Sequence, residues 1–258
     1  MAAQLELTKR FSAESSIRAY IAHDPERAFR FFEAWATDTN AHVRRLVSEG
    51  TRLRLPWARR VSWLDHNPTR VLALLELLKD DPSTMVRRSV ANNLNDLGKV
   101  WPDLLRSTAA EWLEDASPER RSLVEHALRS AIKRTDRAAL ALLGFGETPR
   151  VSIEAVAFSP RRVRIGERVT MTFQLKSRTR RTQQLLVDVA VHFVKAHGVR
   201  RPKVFKLGRI ALAPGERADL RTGFSLAVHT TRVPRAGRHR VEVLVNGRAI
   251  PAGHFDVI

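Results

Sequence analysis

The 258-residue chain contains no cysteine, which excludes a disulfide framework, a thiolate nucleophile and any zinc–thiolate site. Its nine histidines fall in no HExxH or comparable ligand spacing, so no metal centre is expected. Gly-rich phosphate loops of the GxGxxG or GKS/GKT kind are missing too, and with them the usual cradle of a nucleotide-driven enzyme. No run approaches the roughly 18 apolar residues of a membrane span, and the N-terminus lacks the apolar core of a secretory signal. The expected compartment is the cytoplasm, with no membrane partner. Acidic residues are scarce in the second half: residues 151–258 hold 21 Lys+Arg against 7 Asp+Glu, whereas 1–150 hold 24 against 20. The net charges are therefore +14 and +4. Such asymmetry points to polyanionic partners rather than to a fold. What the absences leave is binding, or chemistry carried out by carboxylates without a cofactor.

Through Phe145 the pattern is helical. "DPERAFRFFEAWA" and "NPTRVLALLELLKD" each start after an Asx-Pro step and carry apolar residues three and four apart. Between and after them a second motif repeats: "DTNAHVRRLVSEG" at 38–50 matches "DDPSTMVRRSVANN" at 80–93, and "DASPERRSLVEHAL" at 115–128 is a weaker copy. A helical pair recurring at about 40 to 47 residues is the signature of HEAT-type stacking, in which each unit buries its apolar face on the next. Past "GFGETP" the register changes to alternation in "VSIEAVAF", "RVTMTFQL", "LLVDVAVHFV", "KVFKLGRIAL" and "HRVEVLVNGRAI", with Pro-Gly and Asn-Gly turn signals between them. The expected fold is multidomain, an α-solenoid of HEAT-like repeats over 1–146 followed by an immunoglobulin-like β-sandwich over 151–258.

Within the first repeat, "VRRLVSEGTRLRLPW" at 43–57 places one carboxylate among four arginines and a tryptophan. At about 100° per residue from Val43, Val47 and Gly50 stay near the apolar side, while Arg45 and Glu49 fall near 200° and 240°. From Val86 the same wheel puts Arg88, Asn92 and Asp96 near 200°, 240° and 280°. Glu49 and Asp96 are thus expected on matching polar faces of neighbouring repeats. Simpler readings stay open on pattern alone. Arg45 with Glu49 is an ordinary i,i+4 pair, Asp96 before Gly98 suits a helix end, Trp57 after Pro56 suits a packed loop anchor, and Glu14 suits a helix first turn.

The segments "LTKRFSAESSIR", "HVRRLVSEGTRLRLPW" and "VRRSVANNLNDLGKVWPDLL" resemble the HEAT-like-repeat alkylpurine DNA glycosylases, specifically their AlkC branch. "VHFVKAHG", "KVFKLGRIALAPGE", "TTR" and "GRHRVEVLVNG" resemble the immunoglobulin-like domain that some members of that branch carry. The resemblance implies catalytic roles for Glu14, Glu49, Trp57 and Asp96. It also implies a chain short at its N-terminus, because members usually carry further helices before the segment that begins here at Leu7.

The implied activity is hydrolysis of the N-glycosidic bond of N3-alkylated bases such as 3-methyladenine, with 3-methylcytosine as a second candidate. Such a base is cationic and leaves readily, so the enzyme has most to gain from anionic groups that stabilise an oxocarbenium-like sugar and position water. An electron-rich ring at Trp57 would favour the cationic lesion by about 0.5 to 2 kcal/mol. The resemblance points to a lesion read without extrusion into a deep pocket. Arg45, Arg52, Arg54 and Arg88 are then phosphate contacts that also offset the carboxylates. In the second domain "KSRTRRTQQ" and "TTRVPRAGRHR" supply Arg178, Arg180, Arg181, Arg235 and Arg238 as a DNA clamp. The expected partner is alkylated double-stranded DNA, bound by a monomer at the nucleoid without metal or nucleotide cofactor. No lysine stands out beside the carboxylates as a Schiff-base nucleophile. The rival readings are a non-catalytic DNA-binding repeat protein, which leaves the four coincident residues unexplained, and a protein-binding HEAT scaffold, which leaves the +14 half unexplained.

Overall fold

The computed structural model describes residues 1–194, 202–228 and 233–258. Parts of two quoted segments, "VHFVKAHG" and "TTRVPRAGRHR", lie outside the described residues, including all of "TTR". The chain divides into two compact units, Met1–Ile132 and Lys133–Ile258.

The helices are α1 (Ala2–Arg10), α2 (Ile17–His23), α3 (Pro25–Trp35), α4 (Ala41–Gly50), α5 (Ser62–His66), α6 (Pro68–Leu78), α7 (Thr84–Val100), α8 (Pro102–Leu113), α9 (Pro118–Lys133) and α10 (Arg137–Leu142). Their starts follow the local chemistry of the sequence. Asp24 accepts a hydrogen bond from Arg27 N with Pro25 in the first turn of α3, and Asn40 caps α4 through His42 N. Pro68 and Pro102 open α6 and α8 in the same way. Each repeat then buries one stripe: Val43, Leu46 and Val47 in α4, and Val86, Val90, Leu94 and Leu97 in α7.

The first arginine of each Val-Arg-Arg motif is explained by this local geometry. Arg44 Nη1 donates to the carbonyls of Asp38 and Thr39 at 2.8 and 3.0 Å, and Arg87 Nη1 to those of Asp81 and Pro82 at 2.5 and 3.0 Å. Arg44 also meets Asp81 at 2.6 Å and so ties α4 to the turn before α7. Arg44 thus fastens two repeats and Arg87 closes the turn before its own helix, which leaves the second arginines, Arg45 and Arg88, to the polar face. Two glycines permit close approach. A Cβ on Gly50 would lie 2.7 Å from Ile17 Cγ2, and one on Gly98 2.2 Å from Leu105 Cδ2, so α4 meets α2 and α7 meets α8 almost backbone to side chain. No helix among the described residues is long and apolar enough to cross a membrane.

In the second unit β1 (Val151–Ser159), β3 (Arg168–Ser177) and β6 (Arg217–Ser225) form one antiparallel sheet in the order β1-β3-β6. A second sheet runs β2-β8-β7-β4-β5, from β2 (Arg162–Val163), β4 (Gln183–His192), β5 (Lys203–Leu212), β7 (Gly237–Val245) and β8 (Arg248–Val257). One apolar core draws on both sheets, with Met171, Phe173 and Leu175 of β3, Val187, Val189 and Val191 of β4, and Val241 and Val243 of β7. To the five expected strands the structure thus adds β2, β6 and a separate β8, the last reached through the Asn246-Gly247 turn at φ 45° and 75°.

The change from helix to strand falls between Leu142 and Val151, but α10 groups with the strands. A Cβ on Gly247 would lie 2.7 Å from Leu140 Cδ1, so the β7–β8 turn and α10 are in close contact.

Candidate active site

The polar residues of the two repeats converge on one guanidinium. Arg52, in the loop that follows α4, donates from Nη1 to Glu49 Oε1 at 2.6 Å and from Nε to Asp96 Oδ2 at 3.0 Å. Asp96 Oδ1 meets Lys99 Nζ at 2.8 Å, and Glu49 Oε2 accepts from Ser89 Oγ at 2.7 Å. Arg45 Nη2 stands 3.9 Å from Glu49 Oε2 and 3.5 Å from Glu14 Oε1. Charges therefore alternate along Glu14, Arg45, Glu49, Arg52, Asp96 and Lys99. Both central carboxylates are buried, Glu49 at 7% and Asp96 at 0% exposure. Burial acts to lower the Arg52 pKa, but its hydrogen bond to Glu49 and the charges of Asp96 and Glu49 outweigh it and raise it above the ordinary arginine value.

Ser48 Oγ donates to Ser89 Oγ at 2.7 Å, and Asn93 Nδ2 to Ser48 O and Thr51 Oγ1 at 2.8 and 2.9 Å. This buried chain of hydroxyls and amide fixes the Glu49 rotamer from behind. One Glu14 oxygen, Oε2, is buried with no hydrogen-bond partner among the described residues.

The loop at 51–60 carries Arg52 and Trp57 together and is anchored from below. Arg18 of α2, 1% exposed, donates from Nε to Arg59 O at 2.6 Å and from Nη1 to Gly50 O and Arg52 O at 2.8 Å each. It grips both ends of the loop. Leu53 is the loop's buried apolar foot, while the Trp57 ring is fully exposed on a backbone at φ 58°. A non-glycine residue at positive φ costs of order 1 to 3 kcal/mol and persists only where its surroundings hold it. Arg54 and Arg60 each meet Asp65 at 2.7 Å. Burial opposes ionisation of Asp65, but hydrogen bonds from Arg60 and Arg54 hold its pKa below the usual carboxylate range.

Several expectations take a different form. Glu49 and Asp96 do face corresponding sides of α4 and α7, but they are buried beneath Arg52 rather than set on an open face. Glu14 lies in the turn ahead of α2, not in its first turn, and Asp96 lies inside α7 rather than at its end. A lysine does stand beside a carboxylate: Lys99, one turn on from Asp96, had no distinguishing pattern in the sequence. The Trp57 ring is exposed and not packed among the described residues. Among the expected DNA contacts Arg45, Arg52 and Arg54 are engaged by carboxylates, while Arg88 is exposed beside a cleft of about 300 Å³ between α7 and α9.

In the second unit Arg178 meets Glu154 at 3.1 Å and Arg238 meets Asp256 at 3.5 Å. Arg180 and Arg181 line a cleft of about 720 Å³ with Arg150, Thr148 and Thr182. Arg235 is exposed, and its carbonyl meets His239 Nε2 at 3.0 Å.

Sequence reasoning missed Arg18 and Ser89. For Ser89 a signal existed: it occupies the register position of the buried Leu46 in the first repeat, and a hydroxyl in place of a core leucine demands a partner.

Buried carboxylates clamped by one arginine, under a loop that exposes a tryptophan, are a charged centre held inside the helical unit rather than a surface ion pair. The family model described as DNA alkylation repair enzyme matches residues 11–140, and the chain belongs to that family. A second model, the C-terminal Ig-like domain of the uncharacterised protein YhaZ, matches residues 152–258. YhaZ of Bacillus subtilis (strain 168) is 36% identical over 250 residues, covering 97% of this chain and 69% of YhaZ. The solved structure of the Pseudomonas fluorescens alkylpurine DNA glycosylase AlkC, bound to DNA containing an abasic site analog, matches with a TM-score of 0.95 and 39% identity. That match covers 100% of this chain and 71% of AlkC. The resemblance carried by the SEG-x-RxRLPW and ANNLND segments is borne out.

Proposed function

We propose that this protein is a monofunctional DNA glycosylase that releases N3-alkylated bases, 3-methyladenine first among them, from double-stranded DNA. In this reading residues 1–146 form a solenoid of HEAT-like repeats with the catalytic centre, and 151–258 an immunoglobulin-like sandwich that clamps DNA. The protein works as a monomer in the cytoplasm without a cofactor. One observation carries the reading: Arg52 clamps Glu49 and Asp96 and shares a loop with the exposed Trp57, in a chain of the alkylation repair family.

The bond between the sugar C1′ and the alkylated base breaks with its electron pair going to the base, which leaves neutral and needs no proton. The sugar becomes oxocarbenium-like, and water attacks C1′ while giving up a proton. Asp96, fully buried with both oxygens on cations, suits fixed electrostatic stabilisation. Glu49 is less buried and its Oε2 takes only Ser89 and the long Arg45 contact, so it is the better acceptor for the water's proton. Lys99 is held as the ion-pair partner of Asp96 and is not offered as a free amine.

Incubation with methylated duplex DNA should release free 3-methyladenine. DNA binding with no base released would leave the non-catalytic DNA-binding reading in its place. Trp57→Ala is expected to slow excision by about 2- to 30-fold, the equivalent of a cation–π contact of about 0.5 to 2 kcal/mol, with the melting temperature nearly unchanged because the ring is exposed. A large drop in melting temperature would return Trp57 to a packing role. Replacing Arg180 and Arg181 together by glutamine should lower the slope of log affinity against log salt by up to about 0.9 per lost phosphate contact. An unchanged slope would take this loop out of the clamp.

A further inference from the structure

The second repeat reproduces the first with its carboxylate removed. Arg88 and Asn92 of α7 stand in the register of Arg45 and Glu49 of α4. Asn92 Oδ1 accepts from Arg129 Nη2 at 3.0 Å and lies 3.1 Å from His126 Nε2, both on α9. Arg129 Nη1 donates to His126 O at 2.6 Å. An amide thus replaces the carboxylate. Among the described residues the Arg88 guanidinium makes no hydrogen bond or ion pair, and Arg129 makes no ion pair, the Asp96 carboxylate and the Arg52 guanidinium acting on it only at longer range.

We propose that Arg88, His126 and Arg129 form a phosphodiester-binding subsite on α7 and α9, one repeat along from the carboxylates, which takes up a proton when a DNA phosphate docks. The inference rests on reading the protein as one that acts on DNA. The cleft of about 300 Å³ between the two helices provides the space, lined by Arg88 and His126 with the hydroxyls of Thr84 and Ser122. Its other charged residues are Arg87, spent on loop carbonyls, and Glu119 of α9.

In the free protein burial, then Arg129, then Arg88 push the His126 pKa down to about 4, so the ring is neutral and the two arginines repel each other across it. A docked phosphate reverses the sign of the local field. It neutralises the arginines and favours the imidazolium, moving His126 back toward its ordinary value of about 6.5. The complex then binds more protons than the free protein between those two values, and affinity rises as pH falls.

The test is anisotropy titration of an unmodified DNA duplex at fixed salt between pH 7.5 and 5.5. Below about pH 6.5 the wild type should gain up to about tenfold in affinity per pH unit beyond any gain shown by His126→Gln. Arg129→Gln should lower the salt slope by about 0.9. Identical pH dependence in wild type and His126→Gln would overturn the proposal.

Imidazole NMR on the unaltered chain gives a second arm that does not depend on how the variants fold. The His126 resonance, assigned by its loss in His126→Gln, should titrate at higher pH when duplex DNA is added. A response to inorganic phosphate but none to DNA would make this a small-anion site and overturn the DNA assignment. The outcome also separates this inference from the activity it rests on. Wild-type excision with no His126-dependent proton linkage refutes the subsite alone, whereas proton-linked binding without excision refutes the glycosylase reading alone.

Discussion

Glu49→Gln and Asp96→Asn should each slow single-turnover release of 3-methyladenine by about 100- to 1000-fold, the loss of about 2.7 to 4 kcal/mol from a preorganised electrostatic contact. Both substitutions keep the size of the side chain and remove the negative charge that an oxocarbenium-like sugar requires. Ground-state DNA binding has no such need, and affinity for unmodified duplex should hold or rise, because a buried carboxylate repels phosphates until the cation forms. The two variants should differ in stability. Asp96 is fully buried between Arg52 and Lys99, so its amide leaves two cations facing a neutral group and lowers the melting temperature. Glu49→Gln retains an acceptor for Ser89 and should melt closer to wild type. Wild-type excision rates in both variants would remove these carboxylates from the chemistry and leave Arg52 as the centre of a structural ion-pair network.

These residues show what the sequence made legible and where it stopped. Helical periodicity gave the azimuth of Glu49 and Asp96 correctly, since both point to the side where α4 and α7 meet other polar groups. It could not give their depth. A wheel treats each helix alone, whereas burial here comes from α7 lying beside α4 and from Arg52 folding back over both carboxylates from a loop that has no period. The same blindness hid Arg18, whose partners are three backbone carbonyls 32 to 41 residues away.

In the second unit the alternation in β6 was present, with Ala218, Leu220, Thr222 and Phe224 at every second position, but its outward residues are Arg217, Asp219 and Arg221. As the edge strand of its sheet, β6 is flanked by a strand on one side only, and its charged alternate residues masked the strand signal. The placement of α10 was equally out of reach. A six-residue helix carries too little pattern to say which unit it packs on, and here the answer lies in Gly247, more than 100 residues further along the chain.

Arg18→Met should destabilise the helical unit and slow excision without touching a carboxylate. The substitution removes the donors to Gly50 O, Arg52 O and Arg59 O while keeping an apolar stem in the core. Buried carbonyls left without partners cost about 1 to 3 kcal/mol each, and burial of the guanidinium already opposes its charge, lowering the Arg18 pKa, so part of that cost is returned. A net loss of about 3 kcal/mol is expected, which for a chain of this size lowers the melting temperature by about 6 to 12 °C.

Function should suffer separately, because the two ends of the 51–60 loop lose their common clamp and Arg52 and Trp57 are displaced together. Measured well below its melting transition, the variant should lose at least the 2- to 30-fold expected of Trp57→Ala, with the loss in the excision step rather than in DNA affinity. Arg18→Lys separates geometry from charge. A single ammonium cannot span carbonyls at both ends of the loop, so lysine should recover stability more than excision. If Arg18→Met melts and excises like wild type, the loop is held by Leu53 and the Asp65 pairs alone. If it loses stability but excises at the wild-type rate when folded, Arg18 is a core residue with no part in positioning the site.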